Sequence, residues 1–497
     1  MYKHVISISL LLTLSFALSA TAQTDYYVSP DGKSTNNGLT PETPFNLISK
    51  AISKMEPGST VYLMPGQYNS AVTIGKEHSG TENAYITFKA YDENDKPKLY
   101  VGGSGKWNCI DVQASYIIID GLELEGYNQS FTKQDSIAAA EWVTAPSVTN
   151  DAAVYNTNGI SVGKGGKKGG FPHHVTVRNC IVHDFPGAGI GCQQGDYIIF
   201  ENNHVYNNAW YTMYACSGIS VLTPINVGED TDQYKIIVRN NIVHNNHTKI
   251  KWRTGNIRYS DGNGIIIDVN MAPDGSTTDE IKADGAYRGR TLVANNVSYF
   301  NGGSGIHAFK AAHVDIINNT TFQNEQRYQG EYGEIFSQNG KSNNIVNNVM
   351  YAREDHKCNN YVANGGGTYL NNIYCGGTYT MTESNLVVDI AREPMYMKAP
   401  ADYEDTADFR LIEGSKAIGY GVYKDYMPET DILGVERSPA SIDCGAYVYS
   451  NHTSVAKPTV ISQQYPAAVY NIQGQRVSDN YRGLFIRGRK CILKTHP

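Results

Sequence analysis

The chain is poor in charge, and its two signs nearly balance. Only 18% of the 497 residues are charged, and 41 Lys and Arg stand against 48 Asp and Glu, for a net charge of −7. A general nucleic-acid binder needs a basic stripe that displaces counterions, so this class is excluded. Disorder is excluded as well, because 41% apolar and 11% aromatic residues can bury a large core.

Long apolar runs are missing beyond the N-terminus. Lys3 and His4 precede an apolar run to Leu18, and Ala20-Thr-Ala22 supplies small residues for cleavage. This arrangement predicts a secretory signal peptide over residues 1–22. No cysteine follows directly after it, and no later stretch has the ~20 apolar residues of a membrane span. We therefore expect a secreted, periplasmic or cell-surface protein without a lipid anchor or a membrane span.

Cysteine is too sparse for a disulfide scaffold. The eight cysteines show neither a Cys-x-x-Cys pair nor metal-ligand spacing. We expect most of them to be small apolar residues of a repetitive core, with one or two bridges left open.

A motif of two short β-branched segments around asparagine recurs along the chain. It occupies residues 175–183, 198–206, 236–244, 291–299, 314–322 and 344–350. The first asparagines are Asn179, Asn202, Asn240, Asn295, Asn318 and Asn347, with Asn371 as a seventh. Three of the six gaps are 23 or 24 residues, a period typical of a solenoid. No leucine framework or helix-period segment recurs, so we predict an all-β, right-handed parallel β-helix.

The asparagines predict tight corners. Asparagine tolerates the left-handed backbone conformation, and its amide can hydrogen-bond to equivalents in the coils above and below. The sequence therefore predicts an asparagine ladder along the solenoid.

A second series, in which isoleucine follows glycine, predicts one more strand per coil. The glycines are Gly159, Gly189, Gly218, Gly264 and Gly305. The isoleucine after each should point into the core, and the positions two and four after the glycine should point outward. These outward rows are Ser161/Gly163, Gly191/Gln193, Ser220/Leu222, Ile266/Asp268 and His307/Phe309. With coils ~4.8 Å apart, they predict a shallow trough of mainly small and polar side chains that can hold an extended polymer.

The ends of the repeat predict caps. Residues 26–68, with a short helix near residues 46–55, should cover the first coil, and residues 408–419 and 442–448 should close the other end. The composition shifts after Asn451, where residues 470–476 and 483–486 predict a small C-terminal β tail for sorting or attachment. The expected organisation is a signal peptide over 1–22, a capped β-helix over 23–450, and a linker with the tail over 451–497.

Three segments of the chain are distinctive: Tyr-Tyr-Val-Ser-Pro-Asp-Gly at 26–32, Pro-Gly-x-Tyr at 65–68 and Phe-Arg-Leu…Ala-Ile-Gly at 409–419. They resemble segments of secreted β-helix carbohydrate enzymes with the pectin-lyase-like fold, in particular polysaccharide lyase family 9. Family 9 implies calcium held by clustered aspartates and a lysine as the proton-abstracting base. In this sequence Asp261, Asp268 and Lys310 are the counterpart, which implies Ca²⁺ on Asp261 and Asp268; an Asp-Asp pair followed closely by another Asp has no equivalent here.

Asp261-Gly-Asn-Gly-Ile-Ile-Ile-Asp268 is also similar to the catalytic pair of the β-helix lacto-N-biosidases of glycoside hydrolase family 136. A straight strand separates aspartates at this spacing by ~23 Å, whereas a retaining pair needs ~5–5.5 Å. The resemblance therefore requires the turn from Asp261 to Gly264 to fold back, which two glycines and an asparagine allow.

The candidate reaction centre follows from the predicted stacking. Asp268 and His307 come out on the same face of neighbouring coils, with Lys310 three residues on. Lys310 is the candidate base, His307 its substitute, and Glu334 a third candidate one coil further. The structural alternatives are that Asp268 caps a turn, that Asp261 forms an Asx-turn, that His307 is merely exposed and that Glu334 is a surface carboxylate.

Residues 249–258 are the densest basic stretch of the chain. Arg253 and Arg258 can hold sugar carboxylates in bidentate fashion, Trp252 can stack on a sugar ring, and Lys251 adds a further cation. This stretch predicts binding of an acidic polysaccharide, with a solvated loop as the alternative.

Three functions remain open from the sequence. One is β-elimination on a uronic-acid-containing glycan, in which calcium on Asp261 and Asp268, or the arginines alone, neutralises the uronate carboxylate. The second is retaining glycoside hydrolysis by Asp261 and Asp268. The third is a non-catalytic glycan-binding β-helix. The expected partner in each case is a polysaccharide or complex glycan, and the expected state is a monomer.

Overall fold

The computed structural model describes residues 24–163, 171–228, 233–254, 257–271, 287–327, 332–360, 367–380, 384–388, 395–398 and 407–450, and the backbone of four tail strands. The predicted signal peptide lies outside the described residues. The chain winds into a solenoid of three parallel sheets, named A, B and C in the order in which each coil passes through them.

Sheet A consists of the described strands Asp25–Val28, Thr60–Leu63, Ile86–Ala90, Ile117–Asp120, His173–Arg178, Asp196–Glu201, Tyr234–Arg239, Arg290–Ala294, Val314–Ile317, Asn344–Val346 and Thr368–Leu370. Sheet B consists of Gln67–Tyr68, Lys98–Tyr100, Glu123–Glu125, Ile181–His183, His204–Tyr206, Ile242–His244, Val297–Tyr299, Thr320–Phe322, Val349–Tyr351, Ile373–Cys375 and Leu386–Val388. Sheet C consists of Val72–Ile74, Asn108–Val112, Asn158–Gly163, Ile190–Gln193, Ile219–Leu222, Ile265–Asp268, Ile306–Phe309 and Ile335–Gln338.

Shorter elements flank the three sheets. Tyr396–Lys398 pairs antiparallel with Asp408–Leu411. The tail strands are Val469–Asn471, Arg476–Val477, Gly483–Arg487 and Lys490–Lys494. The described α-helices are Ile48–Ile52 and Lys133–Glu141, and the 3₁₀ turns are Lys76–His78, Asn128–Ser130 and Asn150–Tyr155. Neither α-helix is long and apolar enough to cross a membrane.

The isoleucines of the Gly-Ile series form one inward column of sheet C. Ile160, Ile190, Ile219, Ile265 and Ile306 pair in register from coil to coil, and each has no exposed surface. The predicted register and the inward orientation of these residues are confirmed. Seven cysteines of the described chain are free thiols, six of them buried, in agreement with their predicted role as core residues.

Most corners have two consecutive asparagines, and the two roles predicted for the first one are taken by different residues. The first asparagine takes the left-handed conformation, with φ between 49° and 57° at all seven predicted corners. The second asparagine forms the ladder, which runs through Asn203, Asn241, Asn296, Asn319, Asn348, Asn372 and Asn385. The predicted ladder is therefore present, but one residue later than the left-handed position.

Each rung of the ladder satisfies backbone groups of its neighbours. The backbone N–H and Nδ2 of Asn241 both donate to Oδ1 of Asn296 at 3.0 Å, and Nδ2 of Asn241 also donates to the Phe200 carbonyl at 2.9 Å. These residues are buried, and a buried polar group without a partner costs about 1–3 kcal/mol. The ladder thus removes that cost at each corner that it covers, from Asn203 to Asn385.

A second ladder, at the corner after sheet B, ends on a carboxylate. It runs through Asn208, Asn246, Asn301 and Asn324. Glu334 accepts from the backbone N–H and Nδ2 of Asn324 at 2.7 and 2.6 Å. Glu334 is buried, and burial raises its pKa to about 8. It is therefore neither a surface carboxylate nor a group facing the predicted trough, but the end of a ladder.

The C-terminal segment lies along the flank of the solenoid. The first asparagine of four corners donates from Nδ2 to a backbone carbonyl of this segment. The pairs are Asn295 with Thr430, Asn318 with Asp443, Asn347 with Val422, and Asn371 with Tyr420. Side chains Met427 and Ile442 of the segment pack on outward residues of sheet A. These contacts cover the corner between sheets A and B across several coils. The Phe409 ring also lies 5.4 and 5.5 Å from the rings of Tyr299 and Phe322 on sheet B. The prediction that residues 408–419 and 442–448 close the end of the solenoid is therefore wrong, since both segments lie along its flank.

The connections from sheet B to sheet C build a wall beside sheet C. This loop wall comprises residues 126–157, 207–217 and 245–263 in their described parts. Ala139, Val143, Tyr211, Met213 and Ile250 bury one another within it. The wall and the outer face of sheet C together form the surroundings of the candidate site.

Removal of a ladder rung should destabilise the fold far more than removal of the neighbouring asparagine. Asn241→Ala leaves the buried backbone N–H of Asn203 without its acceptor, so we expect a loss of about 3 kcal/mol. Asn240→Gly retains the left-handed corner and should cost less than about 1 kcal/mol. Urea unfolding midpoints of both variants check this, and equal losses would contradict the assignment of separate roles.

Candidate functional site

The predicted centre lies on the outer face of sheet C. Ile266 pairs with His307, and Asp268 pairs with Phe309, in neighbouring parallel strands. Because alternate residues of a strand share a face, Asp268 and His307 lie on the same face of adjacent coils, diagonally to each other. In-register stacking thus brings these two residues together.

Asp261 enters the site from the loop wall through a glycine turn. Asp261 and Gly262 both have left-handed backbones, with φ of 57° and 74°. The Gly262 N–H donates to the Cys216 carbonyl at 2.8 Å, and a Cβ at Gly262 would lie 2.8 Å from the Thr248 nitrogen. The chain therefore turns sharply before the strand that ends at Asp268, and only glycine fits this turn.

The side chains of Asp261 and Asp268 are half-buried, and both carboxyl groups have raised pKa values. Burial raises the pKa of Asp261 to about 7, although Ser260 Oγ at 3.1 Å, Asn263 Nδ2 at 3.0 Å and the charge of Arg258 act to lower it. Burial also raises the pKa of Asp268 well above its usual range; the charge of Asp261 raises it further, and Lys310 lowers it. Oδ1 of Asp268 is buried without a hydrogen-bond partner.

His307 is a buried, neutral ring. It is 7% exposed, and it stacks on Phe336 with ring centroids 4.0 Å apart. Burial lowers the pKa of His307 to about 3, and its Nε2 has no hydrogen-bond partner. The alternative that His307 is merely exposed is therefore wrong. The predicted small and polar lining also fails in these coils, because Ile266 and Phe336 are buried apolar residues of the same row.

Lys310 lies directly after the strand that carries His307. Its backbone N–H donates to the Gln338 carbonyl at 2.8 Å, and its carbonyl accepts from Met271 at 3.2 Å. Nζ lies 5.2 Å from the centroid of the Phe309 ring, beside the position of Asp268 in the register. Lys310 thus places a cation at the same end of sheet C as Asp268.

The four residues predicted to bind substrate do not form one group. Arg253 donates from Nη1 to the Trp142 carbonyl and from Nη2 to the Ala145 carbonyl, which braces the loop wall. Trp252 is half-buried, and its N–H donates to the Arg258 carbonyl at 2.7 Å. Lys251 and Arg258 are exposed, and only Arg258 acts on the pKa of Asp261.

The sequence did not predict three contacts of cations in the loop region. Nζ of Lys249 lies 3.1 Å from the centroid of the Trp210 ring, and the Arg327 guanidinium lies 4.1 Å from that of Tyr259. Arg327 also donates to the Lys249 carbonyl at 3.3 Å. We call Lys249, Arg258 and Arg327 the cationic rim. Lys249 belonged to the basic stretch, but no sequence signal pairs it with Trp210 and Arg327, which come from other coils.

A calcium ion on Asp261 and Asp268 stays a prediction that the donor set supports poorly. Calcium takes about six to eight oxygen ligands, with clustered carboxylates among them. Within the described ranges, a cluster of three acidic or histidine side chains with suitably close ligand atoms occurs at Glu123, Glu125 and His183, away from this pair. In that cluster Lys98 Nζ already lies 2.9 and 2.6 Å from the two glutamates.

Comparison with known proteins shows the right-handed β-helix fold. Residues 26–220 match the family model described as Pel9A-like, right handed beta helix region. The chain is similar to a lacto-N-biosidase of Bifidobacterium longum, with 22% identity over 91% of this chain and 38% of that protein. It is also similar to pectate lyase L of Dickeya dadantii, with 28% identity over 37% of each chain.

The chain therefore spans well under half of the length of these curated relatives. Among solved structures, pectate lyase Pel9A aligns with a TM-score of 0.49 and 17% identity over 86% of this chain and 96% of that chain.

The raised pKa of Asp261 should make stability depend on pH. The folded state retains the Asp261 proton up to about pH 7, whereas an unfolded aspartate loses it near pH 3.9. Since the folded state then binds more protons, stability should fall as the pH rises from about 4 to about 7. Asp261→Asn should weaken this fall and make the variant more stable than the wild type above pH 7.

Thermal unfolding midpoints between pH 4 and 8 check this prediction. Asp92→Asn, at an exposed position, is the control and should follow the wild-type profile. Parallel profiles of Asp261→Asn and the wild type would contradict a buried, proton-retaining Asp261.

Proposed function

We propose that this protein cleaves glycosidic bonds of a polysaccharide, with Asp261 and Asp268 as the hydrolytic pair. The observation that carries the proposal is the placement of two half-buried carboxyl groups at sheet C: Asp261 comes from the glycine turn of the loop wall, and Asp268 ends a strand on the outer face. Both carboxyl groups have raised pKa values. Glycosidases use such a pair, in which one carboxyl group is protonated while the other is ionised. The pectate lyase and lacto-N-biosidase relatives support a carbohydrate-active enzyme.

The chemistry follows from the shared environment of the pair. The protonated carboxyl group gives its proton to the glycosidic oxygen as the bond to the leaving sugar breaks. The ionised group attacks the anomeric carbon, and water later releases the sugar while the first group acts as base. Because the charge of Asp261 raises the pKa of Asp268, we assign the roles of acid and nucleophile to the pair and not to either residue.

A second candidate is β-elimination, and the position of Lys310 favours it. Its charge acts on Asp268, so a lysine stands beside the carboxyl pair as a base for the proton next to a uronate carboxylate. In this step the neutral amine of Lys310 takes the proton, the bond to the leaving oxygen breaks and a carbon–carbon double bond forms in the uronate. The protonated carboxyl group of the pair gives its proton to the leaving oxygen. The cationic rim supports a uronic-acid-containing substrate for this candidate, since guanidinium and ammonium groups neutralise carboxylates.

Substitution of either aspartate should abolish hydrolysis. Asp261→Asn and Asp268→Asn remove the acid or the nucleophile while retaining the size of the side chain, and activity should fall at least about 1,000-fold. Reducing-end release measures this on polygalacturonate, alginate, xylan and mucin, with Asp92→Asn as the matched control. Sodium azide should rescue whichever of Asp261→Gly and Asp268→Gly lacks the nucleophile and give a glycosyl azide of inverted anomeric configuration, which assigns the two roles.

Lys310→Met separates the two candidates. Under elimination, this variant should lose activity, and the wild-type products should absorb in the ultraviolet because they contain an unsaturated uronate. Under hydrolysis, the products should not absorb, and Lys310→Met should alter the pH profile more than the maximal rate. Release of neither product, with binding retained, would overturn both candidates and leave a glycan-binding protein. Addition of a chelator in the same assay tests the predicted calcium.

A further inference from the structure

A cleft of about 460 Å³ lies on sheet C several coils before the carboxyl pair. Its walls include Thr73, Ser104, Trp107, Asn108 and Asp111. Asp111 pairs with Thr73 on one side and with Ser161 on the other. The cleft therefore belongs to the same outward row of sheet C that leads to Ile266 and His307.

Small side chains form the floor between the cleft and the carboxyl pair. The row runs from Asp111 through Ser161, Gly191 and Ser220 to Ile266. A Cβ added at Gly191 would meet no heavy atom within 4 Å, so the space above this position is open. Four strand steps of ~4.8 Å give a floor ~19 Å long.

The side chains of the cleft suit a sugar. Trp107 is half-buried, and its ring centroid lies 6.2 Å from that of Tyr214 in the loop wall, which is 39% exposed. Trp107 Nε1 donates to Asn150 Oδ1 at 3.3 Å, which holds the indole in place. Burial raises the pKa of Asp111, and Gln113 Nε2 donates to its Oδ2 at 2.8 Å. An indole edge with hydroxyl, amide and carboxyl groups around it matches the apolar face and the hydroxyl groups of a sugar ring.

We propose that this cleft is a distal subsite for the glycan chain whose bond lies at Asp261 and Asp268. The inference rests on the proposed function and extends it to the length of the substrate. A glycan that spans the floor gains the contacts with Trp107 and Asp111, whereas a short oligosaccharide at the carboxyl pair does not reach them. The protein should therefore prefer long chains and bind them through the cleft even when the bond is not cleaved.

Gly191→Trp tests the continuity of the floor. The side chain enters open space on an outward strand position, so the fold should survive, which the thermal unfolding midpoint checks. Affinity electrophoresis of the full chain in gels with polygalacturonate, alginate, xylan or mucin measures binding. We expect the polysaccharide that retards the wild type to bind Gly191→Trp at least about tenfold more weakly, with Gly191→Ala unchanged.

Trp107→Ala tests the cleft itself. Loss of the aromatic surface should weaken binding of the same polysaccharide about tenfold, and Trp107→Phe should restore most of it. Cleavage of short oligosaccharides of that polysaccharide should be unchanged in both Trp107→Ala and Gly191→Trp.

The outcomes separate the subsite from the reaction. One outcome is that Gly191→Trp and Trp107→Ala are retarded in the gel as strongly as the wild type and Asp268→Asn. In that case the distal subsite is wrong and the proposed function stands. If those variants bind weakly but no product forms from any polysaccharide, the subsite stands and the proposed function fails. If no polysaccharide retards the wild type, the subsite is overturned.

Discussion

The structure depends on the hydrogen bonding of buried asparagine amides at the corners of the coils. A parallel solenoid must turn sharply twice near its core, where backbone N–H and C=O groups have no water to bond. Asn296 is an example of a ladder asparagine. Its Oδ1 accepts from the backbone N–H and Nδ2 of Asn241 in the coil before it, and its Nδ2 donates to the Val238 carbonyl. Each ladder asparagine hydrogen-bonds to the equivalent asparagine of the next coil, so the ladder fixes the register in which neighbouring coils stack. This register determines which outward side chains lie next to each other.

That register accounts for the composition of the candidate site. The coil that ends at Asp268 and the coil that carries His307 and Lys310 are neighbours because their sheet C strands, Ile265–Asp268 and Ile306–Phe309, pair in register. The outward row of sheet C changes from serine and glycine to Ile266, His307 and Phe336 at this point. The floor that is open at Gly191 therefore ends at the buried apolar side chains of Ile266 and Phe336. Burial at this end of the floor raises the pKa of Asp268.

Much of the architecture was predictable because it follows from short-range rules that repeat. The Gly-Ile register and the left-handed asparagines are set by side-chain alternation and by local backbone energetics. The errors concern interactions between distant segments. Glu334 was taken as a surface or trough carboxylate, but it ends a ladder through Asn324. Residues 408–419 and 442–448 were expected to cap the end, but Asp443 accepts from the corner asparagine Asn318, which holds this segment along the flank.

The sequence alone determined the parallel β-helix, its outward rows and the neighbourhood of Asp268, His307 and Lys310, because a period of coils fixes adjacency without knowledge of distant contacts. Only the tertiary structure decided the protonation and the contacts of the titratable and charged side chains. Burial against Phe336 made His307 neutral, wall carbonyls occupied Arg253, and Lys249 met Trp210 and Arg327 from other coils. Desolvation and long-range pairing depend on what covers a residue, and periodicity does not carry that information.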